Sequence, residues 1–369
     1  MAGFFFESRL MTCDPIPPRP SQSIGGVVGQ CLLAAISFSL VTETLRPQLP
    51  PDGLLAAKQR YFARHRDDYD CVFFGSSRIY RGFDPLAFRE HLAKRPPLRA
   101  FNFGSGALRP HELNHWLRKV LASPPRRLRY VIIELMDWTP SLPVGLESHA
   151  RTVDWHTLPA TWQACRTEWL SDQAWWTRIL NCQQHLALAA CRFSNHGNGP
   201  RRWHEWTRNS TAETRDDSWL GQRDGFLSLD SETGDLFRIR RQRFLQRYYT
   251  IFLEQISVID QTNRTAGDLS HFNMEAQRDQ QAWLLRRGLK PIYVIPNLRW
   301  GTPTLNCLKS QGMLRDVVTL NHTRRFSDLY RPDHYFDRGH LNNAGAIAFS
   351  RILADQISPH LVPAPPPID

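Results

Sequence analysis

The stretch Asp70-Cys-Val-Phe-Phe-Gly-Ser-Ser-Arg78 decides the fold class of this chain. Four apolar residues, Cys71 to Phe74, are stopped by Gly75, a pattern typical of a buried strand that ends in a tight turn. The turn brings Ser77 to the point where the strand gives way to a helix. Ligands bind at this edge of an open parallel sheet, and backbone N–H groups at a helix start suit an oxyanion. The stretch therefore predicts an α/β domain with a serine at its functional edge.

The alternation of strand and helix continues downstream. Further strands are predicted at 100–103, 130–135 and 291–295, and helices at 54–66, 111–122 and 276–287, with a last helix carrying Ala344, Ile347, Ala348 and Ile352 on one face. Strands that alternate with helices predict a three-layer α/β/α fold, in which helices cover both faces of a parallel sheet.

Residues 140–242 interrupt this alternation, since they are rich in Trp, Arg and polar residues. We interpret them as a mainly helical insertion or cap, after which residues 243–260 predict an amphipathic helix. The α/β domain then comprises residues 69–139 and 243–360. The insertion contains several tryptophans that could either stack on sugars or pack its helices, namely Trp162, Trp169, Trp175 and Trp176.

The most apolar stretch lies near the N-terminus, after a tail (1–23) predicted to be disordered. Residues 24–42 are close to the lower length limit for a membrane span, and we favour an uncleaved anchor over a buried helix. Basic residues flank the stretch on both sides, so the positive-inside rule does not decide its orientation. A proline-containing linker and a helix follow at 43–68, and residues 361–369 form a second predicted tail.

The 369 residues carry a formal net charge of +11, which favours an anionic neighbour: nucleic acid, phospholipid headgroups or an acidic glycan. No aromatic-basic motif or DNA-binding helix pair accompanies the charge, so nucleic acid is not an expected partner. The seven cysteines form no C-x-x-C pair or zinc spacing, and their odd number argues against a disulfide framework. One disulfide, Cys182–Cys191, stays open for an exported domain.

Two further motifs carry chemistry. Asp337-Arg-Gly-His340 stands immediately before the last predicted helix, in a loop expected at the same sheet edge as Ser77. Serine needs a base to become a nucleophile, and an acid must orient that base, so Asp337 and His340 are candidate partners. The small residues after the second strand, Asn102-Phe-Gly-Ser-Gly106, would let backbone N–H groups approach a substrate oxygen.

Together these blocks resemble the SGNH (GDSL-like) hydrolases in order and spacing, over most of residues 70–355. The resemblance rests on three segments: DCVFFGSSRIYRGFDP (70–85), FNFGSG (101–106) and YFDRGHLNNAG (335–345). It implies a flavodoxin-like sheet with Ser77 as nucleophile, His340 as base and Asp337 as its orienting acid. It further implies an oxyanion hole built from the N–H groups of Ser77 and Gly106, with Gly104 beside them. A shift of one residue would replace Gly106 by Ala107.

The chain departs from the family's pattern at two places. Ser76 stands where the family has Asp, and residues 133–137 (IELMD) lack the family's oxyanion-hole Asn, for which Asn297 is a candidate substitute. Ser76, Arg78, Asn102 and Asn297 are the candidates to line the substrate site. The Gly-Ser-Ser-Arg form with an apolar N-terminus looks like membrane-anchored bacterial envelope proteins of this family, including those of D-alanyl transfer to teichoic acid and polysaccharide O-acetylation.

The resemblance implies an esterase or O-acyltransferase that acts on a small ester or an acylated envelope glycan without metal or cofactor. The domain would then lie outside the cytoplasm, anchored by one N-terminal helix. The missing Asn leaves a second hypothesis open, an SGNH-like protein that binds a glycan with weak turnover or none.

Overall fold

A computed structural model describes residues 24–44, 53–92, 98–138, 150–195, 218–265 and 271–361. Both predicted tails, apart from Leu361, lie outside these ranges. So do the prolines of the predicted linker, residue 139 and two parts of the predicted insertion, 140–149 and 196–217.

A five-stranded, all-parallel sheet forms the centre of the described chain. Its strands are β1 (Cys71–Phe74), β2 (Ala100–Asn102), β3 (Tyr130–Glu134), β4 (Lys290–Ile295) and β5 (Val317–Thr319). The strand order β2-β1-β3-β4-β5 is the flavodoxin-like doubly wound order. The chain leaves β1 for β2 on one side and enters β3 on the other, so a crevice opens beyond the carboxyl ends of β1 and β3. A two-stranded antiparallel ribbon, β6 (Tyr335–Asp337) and β7 (His340–Leu341), follows the sheet.

Helices pack on both faces of the sheet. Those described are α1 (Ile24–Thr44), α2 (Gly53–His65), α3 (Ser77–Gly82), α4 (Pro85–His91), α5 (Pro110–Val120), α6 (Ala150–Trp155), α7 (Leu158–Trp169), α8 (Trp175–Phe193), α9 (Ser218–Gln222), α10 (Asp235–Arg243), α11 (Tyr249–Ser257), α12 (Ile259–Thr262), α13 (His271–Leu285), α14 (Pro303–Ser310) and α15 (Asn343–Ile357). A π-helical segment, Phe244–Tyr248, joins α10 to α11.

Alternate residues of each strand enter different cores because strand side chains alternate between faces. Val72 and Phe74 of β1 pack on one side, with Trp116 of α5 and Leu284 of α13. Phe73 packs on the other side with helices α4 and α15. Burial on both faces explains why the strands read as continuous apolar runs, and it confirms the predicted three-layer α/β/α fold.

The predicted bounds of the strands β1 to β4 agree closely with the structure, whereas other elements were missed or begin elsewhere. Strand β1 occupies the predicted residues, and β2, β3 and β4 differ from prediction by one residue at one end. Strand β5 and the ribbon β6–β7 carry no prediction, since runs of two or three residues give too weak a pattern. The predicted helix 243–260 begins earlier, at Asp235, and contains the π-helical segment.

Helices α6 to α8 belong to the predicted insertion, and α8 contacts α1. Phe38 and Phe193 bring their ring centroids to 6.0 Å. The four tryptophans of α7 and α8 are exposed, between 57% and 73%, so they do not pack the insertion. The Cys182–Cys191 disulfide is excluded, because the two thiols are free and lie nine residues apart on one helix, roughly 13 Å along its axis.

Candidate active site

The residues predicted as a catalytic triad come together beyond the carboxyl end of β1. Ser77 opens α3, whereas Asp337 ends β6 and His340 begins β7. Ser77 Oγ lies 2.8 Å from His340 Nε2. His340 Nδ1 lies 2.9 Å and 3.2 Å from the two carboxylate oxygens of Asp337. This is the arrangement in which an imidazole can accept the hydroxyl proton while a carboxylate orients it.

The contacts of Asp337 keep its carboxyl group ionised. Burial raises the pKa of its carboxyl, but the hydrogen bond and charge of His340, the Gly339 N–H and Arg240 outweigh burial and hold that pKa below its usual value. Gly339 N donates to Asp337 Oδ1 at 2.7 Å. Asp337 therefore stays ionised near neutral pH, as an orienting carboxylate must.

Arg240 of α10 reaches the back of the triad. Its Nη2 forms an ion pair with Asp337 Oδ2 at 2.5 Å and lies 2.9 Å from His340 Nδ1. Only one of these neighbours can share a proton with Nδ1, since a protonated Nδ1 donates to Asp337 and an unprotonated Nδ1 accepts from Arg240. The first tautomer leaves Nε2 free to accept the serine proton, and the second does not.

Glu134, the last residue of β3, holds the turn that carries Ser77. Its carboxylate is buried and accepts hydrogen bonds from Ser76 N at 2.6 Å and Arg78 Nε at 2.7 Å. A Cβ on Gly75 would lie 2.8 Å from this carboxylate and 2.2 Å from Ile79 Cγ1. Only glycine fits there, so the strand can turn sharply and present Ser77 to the crevice.

The contacts of Gly104 and Asn102 point to a packing role rather than a substrate-facing one. Gly104 N donates to Asn102 Oδ1 at 2.9 Å, so this N–H is not available to an oxyanion. Asn102 is fully buried, and its amide donates to the carbonyls of Ile79 and Phe83, both at 2.8 Å. The buried Lys58 ammonium ties the same loop by donating to the Asn102 and Gly104 carbonyls at 2.7 Å.

Ala107 lines the cleft beside Ser77, whereas Gly106 faces the insertion. The Gly106 carbonyl accepts from Arg151 of α6 at 2.8 Å, and Arg151 also forms an ion pair with Glu112. Ala107 adopts a left-handed φ of 55°, which orients its peptide differently from its neighbours. Of the two residues that the sequence left open for the candidate oxyanion hole, Gly106 and Ala107, the structure therefore favours Ala107 beside Ser77.

A cleft of about 980 Å³ opens over the triad, a size typical of small-molecule sites. Ser76, Arg78 and Asn297 line this cleft, although Ser76 is largely buried. Asn297 is a poor substitute for the family's oxyanion-hole Asn. Its amide nitrogen already donates to the Tyr335 hydroxyl at 2.8 Å and the Leu329 carbonyl at 3.3 Å.

Sequence reasoning missed Glu134, Lys58, Arg151 and Arg240. Glu134 and Arg240 contact the triad or its turn, while Lys58 and Arg151 hold the loop that carries Gly104 and Gly106. A charged residue at the end of an apolar strand, as in YVIIE (130–134), was an available signal for Glu134. Arg240 lies 100 residues from His340 in a helix of arginines and gave no such signal.

Comparison with protein-family models and with curated proteins gives no match to this chain.

Proposed function

We propose that this chain is an SGNH-like serine esterase or O-acyltransferase that acts on acyl esters of a cell-envelope glycan. The 2.8 Å contact between Ser77 Oγ and His340 Nε2, with Asp337 behind the imidazole, carries the proposal. The cleft above this contact supports it, because an ester must reach the serine.

The first half of the reaction forms an acyl-enzyme. Ser77 Oγ attacks the ester carbonyl carbon while His340 Nε2 takes the hydroxyl proton. The N–H groups of Ser77 and Ala107 stabilise the oxyanion of the tetrahedral intermediate. The carbon–oxygen bond to the leaving alcohol then breaks, and His340 returns its proton to that alcohol.

The second half transfers the acyl group from Ser77. His340 removes a proton from water or a sugar hydroxyl, whose oxygen attacks the acyl-serine carbonyl. Collapse of the second tetrahedral intermediate breaks the bond to Ser77 Oγ, and the serine recovers the proton from His340. Water yields net hydrolysis, whereas a sugar hydroxyl yields acyl transfer.

Residues Gly25–Thr42 of α1 are long and apolar enough to cross a membrane by length and composition. An anchor at this position supports the attachment of the domain to a membrane. The resemblance to envelope proteins of the SGNH family points the same way.

Covalent labelling with a fluorophosphonate ester tests the proposal on the full chain in nonionic detergent. Wild type should be labelled, and Ser77→Ala and His340→Ala should lose labelling by about 100-fold or more. Ser257→Ala, which removes an exposed hydroxyl from α11, is the matched control and should label like wild type. Labelling that survives Ser77→Ala, or its absence from folded wild type, would refute an activated serine.

Arg240 favours a second candidate, a glycan-binding protein without turnover. If His340 Nδ1 accepts from Arg240, Nε2 carries the proton and cannot activate Ser77. The missing oxyanion-hole Asn points in the same direction. This candidate predicts glycan binding that Ser77→Ala leaves unchanged.

A further inference from the structure

The cleft over Ser77 is lined by an unusual number of cations. Among the described residues that line it are six arginines and two aspartates: Arg78, Arg109, Arg240, Arg243, Arg299, Arg338, Asp137 and Asp337. Adding the buried Glu134 beneath the serine turn leaves an excess of three positive charges.

The excess positive charge lies on the arginines of the cleft that have no carboxylate partner among the described residues. Arg78 pairs with Glu134 and Arg240 with Asp337. Within the described ranges, the structure gives no ion pair to the remaining four: Arg109, Arg243, Arg299 and Arg338. Arginines that outnumber the described carboxylates around them repel one another, and that repulsion is relieved when an anion binds among them.

Arg299 and Arg338 are the pair nearest the chemistry. Arg338 lies between Asp337 and Gly339 in the loop of the triad, Arg299 follows β4, and both line the cleft. Burial lowers the pKa of the Arg299 guanidinium, and the positive charges of Arg338 and Arg78 lower it further, although the Asp337 carboxylate partly offsets them. Three guanidinium groups therefore act on one another beside the nucleophile.

Aromatic rings accompany these cations. Trp300 lines the cleft with 46% of its surface exposed, and the guanidinium carbons of Arg78 and Arg299 lie 5.6 Å and 5.5 Å from its ring centroid. The Arg338 guanidinium lies 4.3 Å from the Tyr248 ring. An exposed indole gives a flat apolar surface for a sugar ring, while a planar guanidinium can bind carboxylate or phosphate through two hydrogen bonds.

We infer that the cleft binds an acidic glycan, in which a carboxylate or phosphate group sits between Arg299 and Arg338 and a sugar ring lies on Trp300. That the bound glycan reacts at Ser77 rests on the proposed function, whereas its binding in the cleft does not. The described residues of the cleft supply one exposed indole, which favours a glycan over nucleic acid, since nucleic acid usually binds along an extended basic stripe with several stacking platforms.

Calorimetric titration of the full chain in nonionic detergent tests the inference. The probes are trigalacturonic acid, its uncharged methyl ester, inorganic tripolyphosphate and a short oligodeoxythymidylate. The cleft variant is the double substitution Arg299→Gln/Arg338→Gln. The matched control is Arg324→Gln/Arg351→Gln, which removes the same charge from exposed positions outside the cleft.

At low salt the acid trimer or the tripolyphosphate should bind wild type about tenfold or more tightly than the neutral trimer. The cleft variant should lose that preference and the control should keep it. Preference for the trimer assigns a carboxylate-bearing glycan, and preference for tripolyphosphate a phosphate-bearing one. Equal affinity for the charged and neutral trimers with no tripolyphosphate binding, or equal loss in both variants, would overturn the inference.

The nucleic-acid alternative has its own outcome. Oligodeoxythymidylate that binds more tightly than either glycan-type anion, through the same two arginines, would also overturn the inference. Fluorophosphonate labelling reports separately on Ser77. Arginine-dependent glycan binding without labelling would therefore retain the acidic-glycan site and reject the esterase.

Discussion

Glu134 holds the serine turn through hydrogen bonds that a neutral side chain could not reproduce. Both of its oxygens accept from residues that flank Ser77, and its side chain is fully buried while that of Arg78 is 25% exposed. Charge-assisted hydrogen bonds of this kind fix geometry as well as contribute stability. The position of Ser77 Oγ therefore depends on a carboxylate from the neighbouring strand.

Glu134→Gln should lower the activity of Ser77 and the stability of the domain together. The glutamine amide would turn a donor toward either Ser76 N–H or Arg78, leaving one donor unpaired and the Arg78 charge uncompensated. We expect kcat/KM for an ester substrate to fall about 10- to 100-fold and the free energy of unfolding to fall by about 2–4 kcal/mol. Ester hydrolysis and urea unfolding would measure the two effects.

Glu90→Gln on α4 removes an exposed carboxylate and is the control for this substitution. It should leave both quantities within experimental error. A Glu134→Gln protein with wild-type stability and rate would show that the carboxylate does not hold the turn.

At the scale of elements, α5 to α8 tie the predicted insertion to the glycine loop. Arg151 of α6 contacts Gly106, and His111 of α5 stacks on Trp155 with ring centroids 6.0 Å apart. His156, after α6, donates from Nδ1 to the Thr152 carbonyl at 2.6 Å, and its Nε2 lies 3.0 Å from His185 Nδ1. These buried imidazoles couple the packing of the insertion to pH.

Burial lowers the pKa of His111, His115 and His156 to about 3; neighbouring imidazoles and cations add to the effect, and the Thr152 carbonyl partly opposes it at His156. In the unfolded chain a histidine has a pKa near 6.5. Between about pH 6.5 and pH 3 the unfolded chain therefore binds protons that the folded chain does not. The free energy of unfolding should decrease as pH falls through this window, by up to about 1.4 kcal/mol per pH unit for each histidine.

His156→Leu should weaken the dependence of the free energy of unfolding on pH by up to about 1.4 kcal/mol per pH unit, because one fewer histidine takes up a proton on unfolding. The lost hydrogen bonds should also lower stability at pH 8. Urea unfolding from pH 8 to pH 4 measures the slope. His65→Gln, whose side chain is 43% exposed in wild type, is the control and should keep the wild-type slope. A His156→Leu slope equal to that of wild type would contradict the assignment.

At the scale of the whole molecule, the described residues of α1 are nearly all exposed, with Thr42 buried near its end. Leu33 and Leu40 are 67% and 66% exposed, and neighbouring apolar side chains along the helix are exposed as well. A soluble protein would leave this surface in water at considerable cost, whereas a bilayer would cover it.

Leu33→Arg places a charge in the middle of the candidate span and should weaken its insertion by about 3 kcal/mol. The variant should shift from the membrane pellet to the soluble fraction after alkaline extraction, while wild type stays in the pellet. Thr44→Arg is the control, because an arginine at the helix end can extend toward the membrane surface. Release of wild type by alkaline extraction would show that α1 does not span the bilayer.

The sequence alone determined the layers of this protein, because burial on both faces of a parallel sheet leaves continuous apolar runs such as Cys71–Phe74. It also indicated Ser77, Asp337 and His340, since each stands beside a strong local signal: a strand end or the start of the last helix. The tertiary structure showed that the Gly104 N–H is taken by Asn102 and that Ala107 lines the cleft, because these two loop residues are distinguished by their contacts alone. It likewise brought Glu134, Arg240 and Arg299 to the cleft beside Ser77 from distant segments. That arrangement depends on strand order and helix packing rather than on local pattern.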